Sequence, residues 1–405
     1  MGYRFTRDDV GYLGSAIGWD ALAEVGQLDL TPATHLRDLE RVRRAHGDRA
    51  AALIETVRLR RRAAAKLLDA GQWLFTDDAL QQATPTLVAR QRAERLAGRT
   101  VHDITCSIGA ELVELARVCP AVLGSDLDEV RLAIAAHNLG PRRLGAGEWS
   151  SLATGPSEEA RNVLLARADA LRPSSRDTVI IADPARRADG RRTHDPAKLQ
   201  PPLPDLLAVY TGRDLAVKCA PGLDFDRLDW SGEVEVISLD GSVREACLWS
   251  SGLAERGVGR RATVLSSKGG GWTISDAEPD DIEERAPGQW IIDPDGAVVR
   301  AGLVRHYAAK NDLWQLDPRI AYLTGDTVPE GVRGFRILDR MDFREKALRA
   351  ELHRRDCGPL EILARGVDID PDALRARLKP RGTRPHTLVI TRIGRAATVF
   401  VCATP

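Results

Sequence analysis

Long apolar runs are missing from this chain: no stretch of eighteen or more apolar residues occurs, so no membrane-spanning helix is expected. The opening residues Met1-Gly2-Tyr3-Arg4-Phe5-Thr6 lack an apolar signal core with a small-residue cleavage site. Gly2 and Thr6 fit a myristoylation pattern only loosely, and the expected compartment is the cytoplasm. Cysteine is sparse, six residues in 405 with no C-x-x-C pair. That spacing argues against a disulfide framework and a zinc site, and no metal is expected. Net charge is absent too, since 58 Lys and Arg balance 58 Asp and Glu. The run Gly269-Gly270-Gly271 lacks the G-x-x-x-x-G-K-[ST] pattern and reads as a hairpin turn rather than a phosphate loop. What is present is 43% apolar and 29% charged residues, enough for sizeable cores in two or three domains.

Three regions are expected: a helical N-terminal region over 1–96, an α/β core with a β-rich extension over 97–330, and a small α+β domain over 331–405. In the first, apolar residues recur at three- and four-residue steps through Ala16, Trp19, Leu22 and Val25, then Ala52, Ile54, Val57 and Leu59. Thr31-Pro32 reads as a helix restart, and Arg58 to Arg62 with Lys66 as a solvated basic face. From Arg99 short apolar runs alternate with helices. Strands are predicted at Val101–Ile104, Ala121–Ser125, Val179–Ala182, Leu215–Lys218 and Val234–Ser238, giving a parallel sheet covered on both faces. The last region predicts the order βαβαββ and carries sixteen Lys and Arg against nine Asp and Glu. Its net +7 leaves −7 on the rest of the chain, the composition of a polyanion-binding arm.

Four motifs follow in order. Val101-His102-Asp103-Ile104-Thr105-Cys106-Ser107-Ile108-Gly109 is a strand, a tight small-residue loop and a helix start, where backbone N–H groups and a helix N-terminus approach a ligand. Gly124-Ser125-Asp126-Leu127-Asp128 puts a carboxylate at the end of the second strand, where Asp126 accepts hydrogen bonds from two ribose hydroxyls. Asp128 reads as the N-cap of the next helix. Asp169, in Ala168-Asp169-Ala170, would accept from an adenine amino group. Val179-Ile180-Ile181-Ala182-Asp183-Pro184-Ala185-Arg186 delivers a rigid acceptor to the crevice beside the cofactor.

In that order the motifs resemble motifs I to IV of class I S-adenosylmethionine (SAM)-dependent methyltransferases. More narrowly, the chain resembles the bacterial methyltransferases with a C-terminal THUMP-like domain. Supporting stretches are Leu74-Phe75-Thr76-Asp77-Asp78-Ala79-Leu80-Gln81-Gln82-Ala83-Thr84, Asp103 to Gly109, Gly124 to Asp128, Ile292-Asp293-Pro294-Asp295 through Gly302, and Ala321-Tyr322-Leu323-Thr324. The resemblance implies a Rossmann-like core that binds SAM, with a terminal ferredoxin-like, RNA-binding domain. It implies cofactor contacts at Phe75, Thr76, Asp103, Thr105, Ser107, Gly109, Asp126, Leu127 and Asp169. Asp183, Pro184 and Arg186 take the catalytic positions. Thr105 and Ser107 stand where the family has glycines, so their side chains must point away from the methionine moiety. No aromatic residue follows Asp183-Pro184 to stack a flipped base. The Asp-Pro-Ala-Arg pattern is nearer the Asp-Pro-Pro-Arg of 5-methyluridine enzymes, which makes Cys219 a candidate nucleophile. The expected function is methylation of tRNA or rRNA through the 331–405 domain, with Arg354, Arg355, Arg381 and Arg384 as phosphate contacts. A non-catalytic SAM-binding RNA protein and a small-molecule methyltransferase are the alternatives.

Overall fold

Side-chain caps start the first two helices of the N-terminal region. Thr6 and Asp9 form a reciprocal capping box on α1 (Arg7–Leu13), and Ser15 caps α2 (Ala16–Gly26). Next come α3 (His35–His46), α4 (Ala50–Ala63), α5 (Asp77–Gln82) and α6 (Thr86–Arg95). Helix α3 starts three residues after the predicted restart. Thr31 and Thr34 first close a turn on each other's backbone and hydroxyl groups. The predicted basic face of α4 is not merely solvated. Arg60 donates to the Trp73 and Gln72 carbonyls, Arg61 to those of Gly26, Leu28 and Asp29, and Arg62 pairs with Asp77. These side chains cap the ends of neighbouring segments.

The computed structural model describes residues 2–68, 70–140, 162–185, 187–188, 191–192, 195–283 and 285–404. The chain divides into two compact units, residues 1–232 with 245–254, and residues 233–244 with 255–405.

The first unit carries β1 (Thr100–Asp103), α7 (Ala110–Val118), β2 (Ala121–Asp126), α8 (Glu129–Leu139), β3 (Val163–Arg167), β4 (Val179–Ala182) and β5 (Leu215–Cys219). These strands pair in parallel in the order β3-β2-β1-β4-β5, and the strand Ser242–Trp249 runs antiparallel to β5. Strand order reverses between β1 and β4, so a crevice opens at their carboxyl ends. Strands β1, β2, β4 and β5 lie within two residues of their predicted positions. The expected boundary at residue 96 does not separate two bodies. One hydrophobic core runs from Phe5, Leu13 and Leu53 through Leu112 and Ile134 to Trp249. Asn138 of α8 stitches the two regions together, accepting from the Leu74 N–H and donating to the Leu74 and Ile108 carbonyls.

In the second unit, Glu233–Leu239 pairs in parallel with Arg260–Leu265, which forms the expected hairpin with Gly271–Ser275. A seven-stranded sheet follows in the order Trp314–Gln315, Leu323–Gly325, Trp290–Ile292, Gly334–Asp342, Ala396–Ala403, Arg384–Ile393, Cys357–Arg365. The helices Glu345–Arg354 and Pro371–Leu378 cover one face through Leu348, Leu352, Leu374 and Leu378. The predicted βαβαββ order is present, but the boundary at 331 cuts through this sheet. Ile291 pairs with Phe335, and both share a core with Ile320, Tyr322, Val389 and Phe400.

Candidate cofactor and acceptor site

At the carboxyl ends of β1 and β4 a cavity of about 720 Å³ opens within the first unit, within the usual size range of small-molecule sites. Its first wall is the loop between β1 and α7. Ser107 (φ 49°) and Gly109 (φ 79°) both adopt the left-handed conformation, which folds the chain back within three residues. A Cβ at Gly109 would lie 3.2 Å from that of Ala135, so loop and α8 approach through a missing side chain. Ser107 adopts the conformation usual for glycine at a cost of about 1–2 kcal/mol. In return its N–H donates to Asp126 Oδ2 at 3.0 Å.

Asp126 ends β2. Its other oxygen accepts the Asp128 N–H at 2.9 Å, and each oxygen keeps a further lone pair for a ligand hydroxyl. Burial pushes this carboxyl above its ordinary range. Asp128 caps α8 as expected, accepting from Val130 and Arg131. Leu127 is exposed beside it and lines the cavity. Asp169 also lines the cavity, and its carboxylate accepts the Leu171 N–H.

Asp103 is buried at the end of β1 and accepts the Thr105 N–H at 3.0 Å. Burial, opposed by that N–H and reinforced by the Glu111, Asp183 and Asp126 carboxylates, raises its pKa to about 8. The Thr105 hydroxyl accepts the backbone N–H of Asp183 at 2.7 Å. It therefore ties the β1 loop to the β4 loop.

Just after β4, Asp183 Oδ2 meets Lys218 Nζ at 2.6 Å. Lys218 also donates to Thr84 Oγ1 at 2.9 Å and to the Gln82 carbonyl at 3.4 Å, and lies 3.8 Å from Glu245 Oε2. Glu245 Oε1 accepts from Arg92 Nη1 at 2.6 Å, and Arg92 Nε donates to Glu111 at 2.7 Å. Charges thus alternate along a mostly buried row: Asp183, Lys218, Glu245, Arg92, Glu111. Burial works against both cations, but the adjoining carboxylates overcome it and raise both pKa values. Glu111 is raised by burial despite Arg92.

The cavity lining brings together Asp103, Thr105, Ser107, Asp126, Leu127, Asp169 and Asp183. Gly109 shapes the loop as the residue preceding α7. Pro184 is buried, and Arg186 lies outside the described residues. Phe75 and Thr76 do not line the cavity: Phe75 packs in the core and Thr76 caps α5 by accepting the Ala79 N–H. The helix that Thr76 starts supplies Asp78, Ala79 and Gln82 instead. Cys219 is buried and does not line the cavity. Strand alternation gives the cavity face of β5 to Lys218. Lys218, Arg92, Glu111 and Glu245 were not singled out from sequence, although a lysine between the apolar run Leu215-Ala216-Val217 and Cys219 was a usable signal.

Comparison with known proteins decides the class. Over 374 residues the chain is 54% identical to an uncharacterized S-adenosylmethionine-dependent methyltransferase of Mycobacterium tuberculosis, present in strains CDC 1551 and H37Rv, covering 89% of this chain and 99% of the relative. The chain belongs to the SAM-dependent methyltransferases. Residues 332–404 of this methyltransferase match the family described as THUMP domain-like, and residues 6–63 match a domain of unknown function (DUF8688). A crystal structure of a Porphyromonas gingivalis W83 protein assigned as a methyltransferase shares the fold. Its TM-score is 0.68 at 16% identity, covering 99% of this chain and 100% of that one. The expected Rossmann-like core and THUMP-like terminal domain are thereby established. So is the cofactor, SAM, and the donor set of the cavity suits it. Asp126 offers paired acceptors for a diol, and Asp183 adds a second carboxylate to the same lining. No helix among the described residues is long and apolar enough to cross a membrane.

Proposed function

We propose that this methyltransferase acts on structured RNA, at a heteroatom oriented by Asp183. The observation that carries the reading is the charge of the THUMP-like region. Residues 331–405 hold the net +7, and Arg336, Arg344, Arg381 and Arg395 are exposed with no ion pair among the described residues. Arg384 is exposed beside Asp356, whose carboxyl is lowered by the Thr383 hydroxyl first and by Arg384 among others. Arg354 and Arg355, the other two expected phosphate contacts, are committed to Glu351, and Arg355 also to Asp339. They are weaker candidates than Arg381 and Arg384.

When bound, SAM supplies an electrophilic methyl group, so the chain's residues mainly bind and orient. Asp126 would hold the ribose hydroxyls, Asp169 would face the adenine, and Asp183 would accept a hydrogen bond from the methyl acceptor. The Thr105 hydroxyl is engaged by the Asp183 backbone N–H.

The test uses the full chain. Arg381→Glu with Arg384→Glu should weaken retention of total tRNA or rRNA and lower the salt slope by about one per lost phosphate contact. Nucleoside mass spectrometry of RNA from a strain lacking the gene should show a missing methylated nucleoside. Unchanged retention together with an unchanged nucleoside profile would favour a small-molecule acceptor.

A further inference from the structure

We propose that Lys218 is a catalytic residue of this methyltransferase and that the atom it serves is a hydroxyl oxygen, of the kind a ribose presents. The RNA reading above enters only as the source of that hydroxyl.

Every residue of β5 is buried, so an ammonium there needs partners, and Asp183, Thr84, Gln82 and Glu245 provide them. A purely structural pair gains little over apolar residues of similar volume. This one lies against the cavity, in contact with the acid that closes β4. Glu245, itself held by Arg92, keeps the ammonium charged from behind. Of the contacts Lys218 makes, the one to the Gln82 carbonyl is a hydrogen bond at the limit of length. A substrate oxygen could take its place.

The sign of the charge selects the acceptor. A nitrogen that attacks a methyl sulfonium becomes positive, and a fixed ammonium beside it opposes that change. An oxygen that gives up its proton becomes negative during attack, and the same ammonium stabilises it. The described lining also carries no aromatic ring on which a flipped base would stack. In the step, the oxygen–carbon bond forms as the carbon–sulfur bond breaks with its electron pair passing to sulfur. The hydroxyl proton passes to Asp183, which is half-buried and returns it to solvent.

For the test, the wild-type protein is incubated with methyl-tritiated SAM and, separately, total RNA and a low-molecular-weight extract of cells lacking the gene. The labelled atom is read by mass spectrometry and by release of methyl iodide in hot hydroiodic acid, which cleaves methyl ethers. Label on oxygen in either pool supports the proposal, and a 2′-O-methylnucleoside is expected. Label on nitrogen or carbon overturns it. Oxygen label confined to the small-molecule pool overturns the RNA reading alone, and transfer to neither pool overturns both. Lys218→Met should lower kcat about 100-fold or more, with SAM affinity by calorimetry within threefold and KM little changed. Lys218→Arg should restore part of the rate. If Lys218→Met does not fold, Lys218→Met with Glu245→Gln, which removes one charge of each sign, is measured instead. Turnover within tenfold of wild type in the folded variant would remove Lys218 from the reaction.

Discussion

Replacing Asp126 with asparagine tests the assignment of the cofactor site more sharply than alanine does, because the shape is kept and only the donor–acceptor pattern changes. In the native chain the two carboxylate oxygens each accept one backbone N–H, from Ser107 at 3.0 Å and Asp128 at 2.9 Å. Asparagine has one oxygen, so one of those N–H groups faces an NH₂, a loss of about 1–3 kcal/mol for a donor left without an acceptor. The ligand side loses one of two charge-assisted bonds to the ribose diol, about 1.5–3 kcal/mol. Part of the backbone cost is present in the free protein and does not enter binding. The expected loss of SAM affinity is therefore about 2–4 kcal/mol, roughly 30- to 700-fold in Kd. Titration calorimetry of the wild type and Asp126→Asn measures it, with thermal unfolding as a check on the fold. An analogue lacking one ribose hydroxyl should lose less against Asp126→Asn than against the wild type, since the two changes remove a shared contact. Asp126 is raised above the usual carboxylate range, so wild-type affinity should fall on acidification sooner than an ordinary carboxylate would dictate. The variant should lack that dependence. A Kd within threefold of wild type, with unfolding unchanged, would refute the diol assignment.

Other outcomes follow from the same geometry. Asp103, with a folded pKa of about 8 against an ordinary 3.8, keeps a proton that the unfolded chain loses. Its ionisation therefore costs stability as pH rises through that window, and Asp103→Asn should raise Tm at pH 8, with the gain shrinking toward pH 5. Arg92→Met leaves Glu111 and Glu245 without their shared cation. The loss should be about 3–5 kcal/mol in urea unfolding, partly recovered when both glutamates are changed to glutamine. Cys219→Ser should keep turnover within a few-fold, since the thiol is buried and lies off the cavity. A covalent adduct of Cys219 with 5-fluoropyrimidine RNA would reverse that expectation.

The half of the cavity proposed for the cofactor was legible because its parts lie close together in the chain. Strand, loop, helix and the next acid fall between Val101 and Asp128, and local periodicity and turn chemistry identify each. The half proposed for the acceptor was only partly legible. Asp183-Pro184 stands out as a motif, but its partners come from residues 84, 92, 111, 218 and 245, and no local pattern links them. Arg92 looks like any arginine on an amphipathic helix until Glu111 and Glu245 are brought to it. Phe75 and Thr76 stand off the cavity lining for a related reason. Their segment does border the cavity, but the residues that reach it, Asp78, Ala79 and Gln82, lie within α5, which Thr76 starts. The expected boundaries at 96 and 331 differ from the packing units because shared burial, not composition, decides what packs together. Strands of two or three residues such as Trp314–Gln315 and Trp290–Ile292 are too short to show an alternating pattern.

The seven-stranded sheet has a practical consequence for any attempt to remove or graft the THUMP-like end. A chain ended at residue 330 would keep Trp290–Ile292 but lose Gly334–Asp342, the neighbour that satisfies one whole side of its backbone. Ile291, Ile320 and Tyr322 would lose the cover of Phe335, Val389 and Phe400 at the same stroke. An open strand edge beside bare apolar side chains invites self-association, so RNA binding lost by such a shortened protein would report clumping rather than missing phosphate contacts. A transplantable piece must begin ahead of Trp290, and sequence matching that starts at residue 332 marks where the likeness begins, not where the fold can be cut.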